Sequence, residues 1–322
     1  MLPLRFLVAA LCVMLAPWAQ AQEWPARGPI RFIVAWPPGG LNDLLARSYN
    51  DRVSQAIGQS MVLMNRPGAG GVIGTTEAAK SPPDGYTLAM GTLGPLTIAP
   101  HLRRDLQYST QSFEPVAMLA LSPLVLVVTD GMPAKSLREL VALAKARPAS
   151  LNFAGMGGVG TTQHLAFELF KQAAGIDITT IPFKGTGDAM PALISGQVEV
   201  ALDTLGPLLP LIRSGKLRAL AVTTSERVKQ LPDVPTLAEL GYGSVSSFTW
   251  HVVLAPAGTP PAILDRLEAE YAKAARDPAI QRLLEEQVLV YQPSNRVQLA
   301  QRIHAESETR KKIIADRGIK LD

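Results

Sequence analysis

The stretch that most constrains this chain is IRFIVAWPPGGLNDLLARSYNDRVSQAIG, residues 30–58. Ile30 to Val34 is an apolar run of strand length, and it stops at Trp36-Pro37-Pro38-Gly39-Gly40. Beyond the stop, Leu41, Leu44, Leu45, Tyr49, Val53 and Ile57 recur at helical spacing. The order is therefore strand, stiff turn, amphipathic helix. Two prolines restrict the entry to the turn, and two glycines let the backbone approach a neighbour closely. Asn42 or Asp43 is placed to cap the helix. The first amides of such a helix lack internal partners and sit at the positive end of its dipole, so a small anion can be held there by backbone alone. A plain strand-to-helix connection has the same pattern.

Residues 1–21 are expected to be removed from the mature chain. Arg5 supplies a positive start, Phe6 to Leu15 a short apolar core, and Ala19-Gln20-Ala21 a small-residue cleavage site. The mature protein then begins at Gln22 and is exported. The only cysteine, Cys12, lies inside that leader, which removes disulfides, thiol nucleophiles and cysteine metal sites from the mature chemistry. A chain of about 300 remaining residues without staples must rely on a large core, and that length usually makes two domains.

The net charge is +4 and the basic residues are scattered, apart from Arg310-Lys311-Lys312. No basic stripe is interleaved with aromatics, so nucleic acid is not an expected partner. No metal or other cofactor is implied.

After residue 60, strand-like and helix-like segments alternate. Strands are expected at Met61–Met64, Tyr86–Met90, Leu151–Ala154, Thr179–Phe183, Val198–Leu202, Leu217–Val222 and Trp250–Ala255. Phe113 to Val128 is one long apolar stretch broken at Ser122-Pro123, as in a strand that runs from one domain into another. Helices are expected near 75–80, from the capping box Ser136-Leu137-Arg138-Glu139 to Arg147, and at His164–Ala174, Gly185–Ser195, Leu208–Ser214, Pro260–Asp277, Pro278–Glu286 and Ser294–Arg317. The alternation points to an α/β fold with parallel sheets covered by helices. Ligands of such sheets sit beyond the carboxyl ends of the strands, so the turns at 36–43 and 155–164 are expected at a cleft between two domains.

Gly155-Met156-Gly157-Gly158-Val159-Gly160 matches the dinucleotide fingerprint, between a strand and a helix. Asp177, however, precedes the next apolar strand, where a ribose-binding acid should follow it. A closely packed loop, or an anion cradle of amides with the hydroxyls of Thr161 and Thr162, are the other readings. The four histidines, His101, His164, His251 and His304, are far apart in sequence, with no HExxH or GxSxG motif around them. His164, at a helix start, suits a structural hydrogen bond or a base.

Taken together, WPPGGLND (36–43), NRPGAGGVIG (65–74), PDGYTL (83–88), FEPVAML (113–119), GMGGVGTTQHLAFELF (155–170), PFKGTGDAMPALISGQV (182–198), LRALAVTTSERVKQLPDVPTLAELG (217–241) and APAGTP (255–260) resemble the Bug-type periplasmic receptors of tripartite tricarboxylate transporters. The resemblance covers nearly the whole mature chain. It implies an α/β fold of the two-domain type II periplasmic binding protein kind, with the ligand cleft between two α/β domains. Domain I would comprise residues 22–122 and 248–322, and domain II residues 123–247. It also implies a periplasmic, non-catalytic monomer that closes on a small organic anion, a mono- or dicarboxylate, and passes it to the membrane permease subunits. A ligand sensor and an exported enzyme on the same fold are the alternatives.

The resemblance carries over binding positions. Trp36, Pro38, Gly39, Gly40, Leu41 and Asp43 form the first carboxylate cradle, with Thr92 beside it. Gly155, Met156, Gly157, Gly158, Thr161 and His164 form the opposing wall, and Lys184, Asp203 and Thr204 complete the cleft. Trp36 and Leu202 stand where the family usually has Phe, and Met156 where it often has Ser. Asp203 has two readings, a loop-holding carboxylate or a receiver for a ligand amino group.

Overall fold

The structure is a computed structural model that describes residues 24–158, 160–245 and 248–319. The expected leader and Cys12, and Val159 of the glycine-rich motif, lie outside the described residues. No helix among the described residues is long and apolar enough to cross a membrane.

Strand β1 (Ile30–Val34) is flanked by the parallel strands β2 (Met61–Asn65) and β3 (Thr87–Thr92). Helix α1 (Leu41–Ile57) returns over this sheet, and α2 (Val72–Ala79) connects β2 to β3. Leu41, Leu45, Tyr49 and Val53 are buried one turn apart on α1, packed with Ile30, Phe32 and Val34 of β1. Ile33 enters a different cluster, because successive strand side chains point to opposite faces. Apart from Arg31, both faces of β1 and β3 are covered, so consecutive apolar residues fill Phe32 to Val34 and Leu88 to Met90.

The long strand β4 (Phe113–Thr129) joins the two halves of the molecule. Its first part, Phe113 to Pro123, pairs with β9 (Phe248–Pro256); from Leu124 onward it pairs with β7 (Val200–Thr204) and β8 (Leu217–Val222). The change of partners falls at Ser122-Pro123, which stand opposite Thr249 and Phe248. The second half continues through α3 (Leu137–Ala146), β5 (Asn152–Met156), α4 (Thr162–Ala174), β6 (Thr179–Phe183), α5 (Thr186–Ser195), β7 and α6 (Leu205–Arg213). Its sheet has β5 between β6 and β7, and a cluster containing Val125, Val127, Met156, Leu193 and Leu208 forms one of its cores. After β9 the chain closes with α7 (Pro261–Ala274), α8 (Pro278–Glu286) and α9 (Arg296–Arg317), over the first sheet and its neighbouring segments.

Four expectations change. The sheets are mixed: β9 is antiparallel to β3 and β4, and β4 is antiparallel to β7 and β8. Strands that cross between the halves in opposite directions meet as an antiparallel pair, which a repeat of strand and helix does not anticipate. The cap of α1 is Gly40, with no capping side chain, whereas Asp43 turns back to accept from the Gly39 amide at 3.1 Å. The strand expected at 198–202 is β7, two residues later, so Asp203 and Thr204 lie within its carboxyl end. Ser136 does cap α3 by accepting from the Glu139 amide, but Glu139 reaches the Lys135 amide, so the reciprocal half of the capping box is displaced by one residue.

Candidate functional site

A cavity of about 390 Å³ lies where the two halves face each other. Its walls are the residues at or just past the carboxyl ends of β1, β3, β5, β6 and β7, where ligands of α/β sheets gather. The antiparallel strand β9 adds Thr249 and His251.

The 36–42 turn forms one side. Asn65 donates to the Trp36 carbonyl at 3.0 Å and to Asp43 Oδ1 at 2.9 Å, so the NRPGAGG motif staples the turn from below. Gly71 and Gly157 make room for the indole of Trp36: a Cβ at Gly71 would stand 3.2 Å from Cζ2, and one at Gly157 would stand 2.6 Å from Cζ3. Trp36 thus reaches from the first half to the β5–α4 loop of the second. Its buried Nε1, and the buried Thr92 Oγ1, have no hydrogen-bond partner among the described residues. Both residues line the cavity, and buried donors of this kind are normally satisfied.

The other side is the start of α5, from Lys184 to Asp188. The caps of α1 and α5, Gly40 and Gly185, are both uncapped by any side chain. The first amides of each helix therefore have no side-chain cap where the helix borders the cavity, and each dipole puts partial positive charge there. The start of α4 differs. Thr161 Oγ1 accepts from the His164 amide and donates to the Gly158 carbonyl, so its hydroxyl is already used.

The expected residues divide accordingly. Trp36, Pro38, Gly39, Gly40, Leu41, Thr92, Met156, Gly157, Lys184, Asp203 and Thr204 share the cavity wall. Asp43, Gly155, Gly158, Thr161 and His164 do not. Asp43 faces the protein: burial pushes its carboxyl up, but hydrogen bonds from Arg47, Asn65 and the Gly39 amide outweigh that and hold it below the usual range. Gly155 lies in β5 against Thr180, and His164 opens into a different depression with Glu168 and Lys171. The dinucleotide pattern has a packing explanation, because the space a Cβ would take at Gly157 belongs to the Trp36 ring.

Pro37, Asn42 and Gln163 fall within the turns at 36–43 and 155–164 that were expected there, whereas Gly185 to Asp188, Thr249 and His251 were not anticipated. Lys184-Gly185-Thr186-Gly187 had a readable signal, since it repeats the strand–glycine–helix order of residues 30–58. His251 and Thr249 had none, because only the pairing of β9 brings them to the cavity.

Burial works against the charged form of both buried titratable groups of the wall. Burial raises the Asp203 carboxyl, against hydrogen bonds from Thr186, Gln163 and the Thr204 amide. Gln163 Nε2 and the Thr204 amide each lie 2.8 Å from Oδ1, and Thr186 Oγ1 donates to Oδ2. Asp203 therefore ties the first turns of α4 and α5 to the end of β7. Burial lowers His251 to about 4, so the ring is neutral near pH 7. Its Nδ1 is 2.8 Å from Asn42 Oδ1 and its Nε2 is 2.7 Å from Ser122 Oγ. Lys184 and Asp188 are exposed at the rim. No arginine lines the cavity, and no metal-holding cluster of His, Cys, Asp and Glu occurs among the described residues.

Comparison with known proteins agrees with this architecture. Protein BugT of Bordetella pertussis is 41% identical over 262 residues, covering 81% of this chain and 80% of that protein. MatC (Rpa3494) from Rhodopseudomonas palustris, solved with bound malate, superposes with a TM-score of 0.85 at 30% identity, covering 90% of this chain and 99% of that one. R. palustris Rpa4515, solved with adipate, gives a TM-score of 0.86 at 34% identity over 92% of this chain and 99% of that one. The profile of the tripartite tricarboxylate transporter family receptors matches residues 45–319, and on these grounds the chain is a member of that receptor family, with the two-domain fold of periplasmic binding proteins.

Proposed function

We propose that this protein is a periplasmic receptor that captures a small carboxylate in the cavity between its halves and delivers it to the permease of a tripartite transporter, without chemical turnover. The observation that carries the reading is the pair of glycine-capped helix starts, α1 and α5, facing one cavity of about 390 Å³. Amides fixed in this way hold a carboxylate without a counter-charge, because hydrogen bonds to an ionised acceptor are about twice as strong as neutral ones. The two ligands present in similar receptors, malate and adipate, are carboxylates of a size such a cavity accepts.

Closure is part of the reading. Domain I takes residues 22–122 and 248–322, domain II residues 123–247, and the backbone change falls at Ser122-Pro123 and Phe248-Thr249. What supports the division is that β4 changes partners there and that β9 begins there. The receptor acts as a monomer, with residues 1–21 removed on export.

An enzymatic reading has one attraction, since Ser122, His251 and Asn42 form a hydrogen-bonded row with the composition of a nucleophile, a base and an orienting amide. Ser122 is completely buried and is absent from the cavity wall, so a substrate in the cavity does not meet it.

Thermal-shift titration with a panel of mono- and dicarboxylates, malate and adipate included, tests the proposal. At least one member should raise the melting temperature in a concentration-dependent way. Failure of every member, or consumption of any of them, overturns it.

A further inference from the structure

Asn42 lies at the second position of α1 and borders the cavity. Its amide oxygen faces His251 Nδ1 at 2.8 Å, and its amide nitrogen makes no hydrogen bond among the described residues. His251 is completely buried on β9, opposite Thr92 of β3. Its other nitrogen is held by Ser122, at the point where β4 changes partners.

A neutral imidazole has one donor and one acceptor nitrogen, so the two contacts are not independent. With the Asn42 oxygen at Nδ1, the proton is on Nδ1, and Nε2 accepts the Ser122 hydroxyl. The Asn42 nitrogen then presents its two N–H groups to the cavity, beside the free amides of α1. In the opposite tautomer Nδ1 is an acceptor, Asn42 must turn its nitrogen inward, and its oxygen would face the anion. The tautomer of His251 therefore decides whether the site gains a donor or a repelling acceptor at Asn42.

We propose that Asn42 is a ligand-recognising donor of this site, taking an oxygen of the bound anion, and that His251 is the positioning residue that turns its amide nitrogen toward the cavity. The proposal rests on the carboxylate reading above. It adds a recognition residue outside the glycine cradle and a reason for a buried histidine beside it. Nothing in α1 otherwise uses the Asn42 side chain, since the helix has no side-chain cap.

The test has a ligand-free arm and a binding arm. Long-range proton–nitrogen correlation spectra of the wild type at pH 7 report the His251 tautomer, with the signals assigned by their loss in His251→Phe, or by substituting the other three histidines if that variant does not fold. The Nδ1–H tautomer is expected, and the Nε2–H tautomer overturns the proposal whatever binds. Calorimetry with malate and adipate as probes forms the second arm. Asn42→Leu should weaken binding about 10- to 100-fold, the usual effect of one lost donor to a charged acceptor. His251→Phe should weaken it less, and should cost nothing more in the Asn42→Leu background, because it acts through Asn42. Unchanged affinity in folded Asn42→Leu, or losses that add, overturn the proposal. If neither probe binds the wild type while the Nδ1–H tautomer is found, the carboxylate reading and the recognition role fail together and the orientation of Asn42 stands.

Discussion

The indole of Trp36 occupies the space where a side chain at Gly157 would begin: a Cβ there would lie 2.6 Å from Cζ3. The two residues come from opposite halves of the protein, so an added Cβ at Gly157 would meet the other half. Gly157 has φ of 80°, which favours glycine on its own account, and its neighbour Gly158 has φ of 82° with open space around it. The pair separates steric from backbone effects. Gly157→Ala and Gly158→Ala should each lose about 1–2 kcal/mol of stability in urea titrations from the left-handed backbone. Only Gly157→Ala should also lose ligand affinity, by about 5- to 100-fold, because it alone props the halves apart. Equal affinities in the two variants would show that the Trp36 contact does not limit closure.

Gly40 does not need glycine for its backbone, since φ is −81° and a Cβ would sit 3.6 Å from the Pro37 carbonyl oxygen, an ordinary contact. The positive φ of this turn belongs to Gly39, at 77°. Gly40→Ala should therefore keep its stability within about 1 kcal/mol. Gly40→Val should also fold, yet bind a carboxylate more weakly than Gly40→Ala, because its branches screen the first amides of α1. Calorimetry on the two variants makes the comparison, and equal affinity would remove α1 from the cradle.

Asp203 makes a prediction about pH. Burial raises its folded ionisation above the ordinary carboxylate value, so the folded chain holds a proton that the unfolded chain releases. Stability from this group is present at low pH and is lost as pH rises through the raised value. The newly ionised carboxylate also repels an anionic ligand. Wild-type affinity should fall across that rise, whereas Asp203→Asn should hold its affinity there. A uniform loss in Asp203→Asn at every pH would instead assign Asp203 a direct contact with a cationic part of the ligand.

His251 acts on the acid side. Its folded ionisation is lowered to about 4 by burial, against an ordinary value of 6.5, so the unfolded chain binds the extra proton first. The contribution is complete above about pH 6.5 and is lost as pH falls toward about 4. That window amounts to about 3 kcal/mol, at 1.36 kcal/mol per pH unit. Urea midpoints from pH 4 to 7 should slope less in His251→Phe than in the wild type, and parallel slopes would mean that the ring is hydrated.

Much of this was legible in the sequence, and the exceptions share a cause. The 30–58 stretch predicts its strand, turn and helix because the apolar period changes sharply at Trp36. The long strand broken at Ser122-Pro123 marks the crossing between halves, since a buried run of that length has no place in one small sheet. The direction of β9 was not legible, because antiparallel pairing of strands so distant in sequence leaves no local period. His251 and Thr249 were missed with it. Of the loop expected as the second wall at 155–164, Met156, Gly157 and Gln163 reach the cavity, while Thr161 serves its own helix. Gly185 had the same local pattern and the free amides.

The central claim is that neutral donors, chiefly the amides of two helix starts, hold a carboxylate in this cavity. Exposed Lys184 at the rim should contribute at most about 1 kcal/mol. The most direct test is calorimetric titration of the best-binding carboxylate and of its uncharged amide analogue, each at low and high salt. The account predicts strong binding of the carboxylate, little change with ionic strength because no exposed ion pair is being screened, and no binding of the amide. Tight binding of the amide analogue, or a steep loss of carboxylate affinity with salt, would contradict it.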